Sequence, residues 1–245
     1  MEECNHLRGR IAIVTGASSG IGRAITLALS RLGVQLYIVG RDPTKLTETT
    51  AAARRFSRVN EFQIDLTVEQ SLQPLLQQLQ RDAGGLDILI HSAGVVHLGP
   101  MERAQIEDFD LHYATNLRAP YFVTQHLLPF LIKAHGQVVF INSSLGLAAK
   151  RPGVGQYAAT KHALKAIADS AREELNPKGV RVLSIYLGRT ATPMQEELYR
   201  QEGRRYDPEA LLQPDDVASV VVHALQLPAT AEVTDISMRP MLKSY

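Results

Sequence analysis

The sequence predicts an α/β protein: a single domain, residues 1–245, built on an open, doubly wound sheet of seven parallel strands with helices on both faces. Two observations carry the prediction. β-branched, almost wholly apolar runs alternate with longer segments of helical periodicity from one end to the other, and glycines and prolines fall where one gives way to the next. Length agrees, since 245 residues fit one such domain and crowd two. A domain of that size buries roughly three-quarters of the surface its unfolded chain exposes, enough for a core without metal or disulfide.

The strand candidates are Arg10–Thr15, Val34–Val39, Glu61–Ile64, Leu86–His91, Gln137–Asn142, Val180–Tyr186 and Glu232–Ser237. Most are apolar at consecutive positions, the pattern of strands covered on both faces, which parallel sheets require. Crossover helices are expected over segments such as Ile21–Leu32, Thr67–Asp82 and Gly155–Asn176. Gly33, Gly84-Gly85, Gly136, Pro177 and Gly179 stand where these helices should stop. Gly188 to Gln213 breaks the rhythm with Pro193, Gly203, Pro208 and charges of both signs. At the carboxyl end of a strand such an insertion reads as a substrate lid, the alternative being a plain surface excursion.

Composition excludes several function classes. Lys and Arg total 26 against 25 acidic residues, without the basic stripe that nucleic-acid binding needs. Cys4 is the one cysteine, so no internal disulfide forms and a reducing compartment is expected. The polar stretch Met1–Arg10 lacks the apolar core of a signal peptide, and no run of about 18 apolar residues occurs. A cytoplasmic location away from membranes is therefore expected. The eight histidines show no metal-ligand spacing, so no metal site is expected.

The first strand runs into Thr15-Gly16-Ala17-Ser18-Ser19-Gly20-Ile21-Gly22, and a helix follows. Glycines there let the backbone approach a pyrophosphate, while the helix amino end offers unpaired N–H groups and partial positive charge. The context is Rossmann-like. No Lys-Ser/Thr follows, so this is not a nucleotide triphosphate P-loop. Tyr157 and Lys161 stand at i and i+4 on a predicted helix and so share a face.

The turn's spacing resembles that of the short-chain dehydrogenase/reductase family, and further motifs in the same order extend the likeness over nearly the whole chain. His91-Ser92-Ala93-Gly94 is similar to the family's N-N-A-G; Asn116, Ser144, Tyr157 and Lys161 match its catalytic tetrad; Leu187 to Thr192 matches its P-G-x-x-x-T. The resemblance implies a hydride transfer between a nicotinamide and a carbonyl or secondary alcohol, with Tyr157 as acid/base. Lys161 and an oxidised nicotinamide would lower the phenol's pKa. Ser144, 13 residues before Tyr157, would hold the substrate oxygen, in preference to Ser143. Asn116 would distort the fourth helix and support a water that relays protons to Lys161.

The resemblance also implies a cofactor site of Gly16, Ser18, Ser19, Gly20, Ile21, Gly22, Arg41, Asp65, Leu66, Ala93, Gly94, Tyr157, Lys161, Gly188, Thr190 and Thr192. The family's acidic discriminator of NAD falls at Gly40, with Arg41 next, so NADP is expected rather than NAD. Asp42 reads as a helix cap. Asp65 reads either as an adenine contact or as a cap for a helix starting near Val68. His91-Ser92 and Leu187 depart from the family pattern, as does a carboxyl end without the family's common glycine-rich ending. The alternative function is a catalytically silent dinucleotide-binding sensor or scaffold; a sugar-nucleotide epimerase would need a longer chain. His162 is expected to face away from the site, and Lys150 and Arg151 at its edge read as a solvated pair, the alternative being a pair that attracts an anionic substrate. The family's habit implies a homodimer or homotetramer.

Overall fold

The computed structural model describes residues 6–82 and 84–242; Cys4 lies outside them. Seven parallel strands form one sheet in the order β3-β2-β1-β4-β5-β6-β7. They are β1 Ile11–Thr15, β2 Gln35–Gly40, β3 Val59–Gln63, β4 Ile88–His91, β5 Gln137–Ser143, β6 Arg181–Leu187 and β7 Asp235–Met238. The helices are α1 Gly20–Arg31, α2 Pro43–Ala53, α3 Gln73–Asp82, α4 Ile106–Tyr113, α5 Ala119–Ala134, α6 Gly155–Leu175, α7 Pro193–Gln201 and α8 Pro214–Gln226.

The consecutive apolar residues of the central strands divide by parity between two cores. Ala12, Val14, Leu36, Ile38, Ile88, Ile90, Val139 and Ile185 face one way, onto Ile25 and Leu29 of α1 and Val217 and Val221 of α8. Ile13, Tyr37, Val39, Leu89, Val138, Phe140 and Val182 face the other, onto Leu75 and Leu79 of α3, Leu127 and Leu131 of α5, and Leu164 and Ala168 of α6. Strand direction out from β1 reverses between β2 and β4, and at that switch point the carboxyl ends open a crevice.

Strand boundaries differ from expectation chiefly at the ends. β4 begins at Ile88 because the Asp87 side chain is turned aside, accepting from the Ile11 N–H at 2.8 Å and from Arg10 at 2.6 Å. β7 begins at Asp235, three residues late, because the Glu232 carboxylate takes the Val182 N–H at 2.8 Å that a longer strand would have bonded through backbone. β3 starts earlier than expected, at Val59, and as an edge strand only Val59 is buried, the half-buried Asn60 and Phe62 alternating with the exposed Glu61 and Gln63. Asp42 caps α2, accepting from the Lys45 N–H at 3.1 Å with Pro43 in the first turn. The segment after β6 is ordered by α7, a short 3₁₀ turn at Pro208–Ala210 and a bridge between Thr190 and Leu212.

Candidate active site

Two adjoining cavities occupy the crevice. The first, of about 290 Å³, lies along the glycine turn and the carboxyl ends of β1 and β2. Gly16, Ser18, Ser19, Gly20, Ile21, Gly22, Arg41, Asp65, Leu66, Ala93, Gly94 and Thr192 all line it. Gly188 and Thr190, expected with them, line the second cavity instead. Gly16 has φ +67°, and a Cβ there would lie 2.7 Å from the Ala93 backbone nitrogen, so only glycine lets the two turns meet. Thr15 staples the same junction, its hydroxyl accepting from the Ser92 and Ala93 N–H groups at 3.1 and 3.3 Å.

Arg41 and Lys45 line the far end of this cavity with Asp42, whose carboxylate is engaged in capping α2 and pairing with Lys45 at 3.6 Å. Gly40 places no side chain beside Arg41, and one there would press on the Ser18 hydroxyl, which would have to turn aside. Asp65 is held in a turn, accepting from Thr67 N–H and hydroxyl at 2.9 and 2.8 Å; those bonds, foremost the backbone one, keep its carboxyl below the usual range. It does not cap the following helix, which begins at Glu69 after Val68. Lys45 escaped the sequence reading. The available signal was its place in the first turn of a helix that starts beside Arg41.

The second cavity, about 560 Å³, is lined by Ser143, Ser144, Tyr157 and Lys161 together with Val95, Val96, Leu98, Met194 and Leu198. Tyr157 and Lys161 come from one face of α6, with the Lys161 Nζ 5.8 Å from the centre of the Tyr157 ring. Ser143 and Ser144 both line the cavity with Tyr157. β5 runs one residue further than expected and ends on Ser143, half-buried, whose hydroxyl accepts from the Leu145 N–H at 3.2 Å, while Ser144 is exposed and opens a 3₁₀ turn.

Ionisation departs from expectation as well. Burial pushes the Tyr157 phenol up to about 12, only partly countered by the Ser143 hydrogen bond. Lys161 does not acidify it in the protein frame: its Nζ is turned to the Ile141 carbonyl at 3.1 Å, and burial lowers its own pKa to about 8. Enclosure therefore outweighs the nearby ammonium.

Asn116 lies within a π-helical turn, Ala114–Arg118, between α4 and α5. Its carboxamide is fully buried, accepting from the Val95 N–H at 2.8 Å and donating to the Val95 carbonyl at 2.9 Å. It thus fixes the loop after β4 to the helix, while its neighbour Thr115 lines the first cavity. His112 packs edge-on against the Tyr157 ring, centroids 5.9 Å apart, and accepts the His97 N–H. His162 bonds the Ala158 carbonyl and lines neither cavity. His91 is buried, stacks on Phe140 and bonds Thr124 at 2.8 Å; burial pulls its pKa down to about 3 and keeps it neutral. Leu187 ends β6 in the apolar core, paired with Ser143 and Met238. Among the described residues no group of acidic, histidine or cysteine side chains could hold a metal, and no helix is long and apolar enough to cross a membrane.

A family model described as short chain dehydrogenase matches residues 10–203. The chain belongs to the short-chain dehydrogenase family. An uncharacterized oxidoreductase of Staphylococcus epidermidis is 31% identical to this short-chain dehydrogenase over 236 residues, 96% of this chain and 99% of the relative. Among solved structures, a metagenomic short-chain oxidoreductase in complex with NADP has 30% identity and a TM-score of 0.80, covering 97% of this chain and 99% of its own. A short chain dehydrogenase from Burkholderia cenocepacia in complex with NADP has 26% identity and a TM-score of 0.83, covering 95% and 97%.

Proposed function

We propose that this short-chain dehydrogenase reduces a carbonyl compound to the alcohol with NADPH. The observation that carries the reading is the meeting of Ser144, Tyr157 and Lys161 in one cavity that adjoins the glycine-turn cleft. NADPH, once bound, supplies the hydride. The chain does the rest. Ser144 and Tyr157 hydrogen-bond the substrate oxygen and orient the carbon toward the first cavity. With its pKa near 12, Tyr157 is a neutral phenol at physiological pH, the form that donates a proton to an oxygen gaining charge. Lys161 holds positive charge beneath that oxygen. Asn116 is a positioning residue, setting the Val95 loop that forms part of the cavity wall. The segment 188–213 closes the cavity as a lid, with Met194 and Leu198 of α7 over it.

The first cavity fits a 2′-phosphate: Arg41 offers a planar fork, Lys45 a second cation, and Gly40 places no competing carboxylate beside them. The NADP in two of the related structures supports the same choice. We expect NADPH to bind roughly ten- to a hundredfold more tightly than NADH, and Arg41→Ala to erase most of that difference, as for loss of a charge-assisted hydrogen bond. Titration followed by nicotinamide fluorescence reads both; tighter binding of NADH would overturn the assignment.

Ile106, Phe109 and Tyr113 are exposed along one face of α4, with Tyr121 on α5. That face supports assembly into a homodimer or homotetramer through these helices. Light scattering at the mass of one chain would count against it.

A further inference from the structure

Charge in the substrate cavity is one-sided. The charged residues lining it are Lys161, Arg151, Arg189 and Arg204, with no carboxylate among them. The three arginines come from three separate segments: the loop after β5, the strand end after β6, and the turn after α7. They converge on a single acid, Glu202, with N–O distances of 3.2 Å from Arg151, 2.7 Å from Arg189 and 3.6 Å from Arg204. Burial works against its charge, but the Arg189 hydrogen bonds and the neighbouring guanidinium charges keep the Glu202 carboxyl below the ordinary range, so the group is anionic. Among the described residues the cluster gathers three guanidiniums on one carboxylate.

A clamp for the segment after β6 would not need this excess. Arg189 alone satisfies Glu202, bonding its two oxygens at 2.9 and 2.7 Å. Two further guanidiniums gathered on the same carboxylate repel one another and Arg189, at a cost that an incoming anion would remove. Arg189 and Arg204 also lie over the Tyr199 ring, 4.6 and 5.2 Å from its centre. Stacking holds a guanidinium by its face while its N–H donors stay in the plane of the edge, where an acceptor with two oxygens is recognised. Two buried donors of lining residues, Arg189 Nη1 and Gln195 Nε2, have no hydrogen-bond acceptor and add to the positive potential. The same cavity has apolar lining from Val95, Val96, Leu98, Met194 and Leu198.

We propose that Arg151, Arg189 and Arg204 form an anion subsite, and that the substrate is an oxo acid: a carbonyl for Ser144 and Tyr157, a hydrocarbon spacer, and a carboxylate for the arginines. This rests on the carbonyl-reductase reading of the same cavity. The test compares kcat/KM for oxo carboxylic acids of increasing chain length, each beside its methyl ester, in wild type, Arg151→Gln and Arg204→Gln. The acid of fitting length should exceed its ester by roughly ten- to a hundredfold, the range of one or two charge-assisted hydrogen bonds, and the ratio should fall toward unity in the variants. A phosphate monoester of a hydroxyketone is the second arm; preference for it over the carboxylate would keep the anion subsite and change the anionic group. An acid-to-ester ratio near unity in wild type, or one unmoved in both variants, overturns the proposal and leaves a structural clamp. A binding readout separates the two readings. If adipate raises the Tm of wild type but not of the variants while no carbonyl is reduced, the subsite stands and the reductase reading falls. If neutral ketones are reduced without preference for acids, the reverse holds.

Discussion

Tyr157→Phe is expected to lower kcat/KM for carbonyl reduction by about 10²- to 10⁴-fold, the range of a positioned general acid, while the affinity for NADPH stays within about twofold. Phenylalanine keeps the ring, its packing against His112 and its place on α6, and removes the one hydroxyl that both bonds Ser143 and donates the proton. Ser144→Ala should follow with a loss of about 10- to 100-fold, since it removes an orienting bond and not the proton donor. Ser143→Ala should cost less, because that hydroxyl is engaged with the Leu145 N–H. Steady-state NADPH oxidation measures all three, and the order of the two serines is the sharper reading. A larger loss at Ser143 would mean that the hydroxyl at the strand end holds the substrate. pH separates the directions as well. A phenol held near 12 supplies protons throughout the neutral range, so reduction should lack a tyrosine limb there, whereas alcohol oxidation needs the phenolate and should climb about tenfold per pH unit.

Lys161→Met should inactivate the protein and stabilise it. The ammonium is buried, and its pKa falls from 10.5 to about 8, which corresponds to about 3 kcal/mol of unfavourable burial at neutral pH. Losing the hydrogen bond to the Ile141 carbonyl offsets about 1 kcal/mol of that gain. A net gain of about 2 kcal/mol would raise Tm by roughly 4–8 °C in a domain of this size. The sign follows from proton binding. Between about 8 and 10.5 the unfolded lysine keeps a proton that the folded one has released, so wild-type stability should rise with pH from about 8. Above about 10 the raised phenols of Tyr37, Tyr157 and Tyr186 act the other way, because the unfolded chain then loses protons that the folded chain keeps. The variant should lack the rise from 8 to 10. Thermal unfolding at several pH values checks both; a less stable variant with no change in pH slope would show that the ammonium is well solvated.

The sheet was legible because parallel strands buried on both faces must be apolar at consecutive positions, as in Ile88–His91 and Val138–Ile141. The glycine turn was legible because Gly16 sits where a Cβ would meet the Ala93 backbone. Less visible were features set by one residue of backbone or by distant convergence. Ser143 and Ser144 are chemically alike, and only the end of β5 shows that the Ser143 hydroxyl is engaged with the Leu145 N–H while Ser144 opens the next turn. The start of β7 depends on where the Glu232 side chain goes, which no periodicity encodes. Acidification of Tyr157 followed from spacing to Lys161, but enclosure by His112 and the cavity wall, which comes from other segments, reverses its sign in the protein frame. Arg151 read as half of a solvated pair because Arg189, Glu202 and Arg204 lie more than thirty-five residues away in sequence.

The most direct test of the account is to supply NADPH carrying deuterium on the transferring face of C4 with a ketone that the protein accepts, and to weigh the alcohol formed. One deuterium on the carbinol carbon, with labelled alcohol formed at least about a hundredfold more slowly when Tyr157→Phe replaces wild type, is the result the Ser144–Tyr157–Lys161 geometry predicts. NADPH consumed with no deuterium in the alcohol, or labelled alcohol formed by the variant at the wild-type rate, would contradict it.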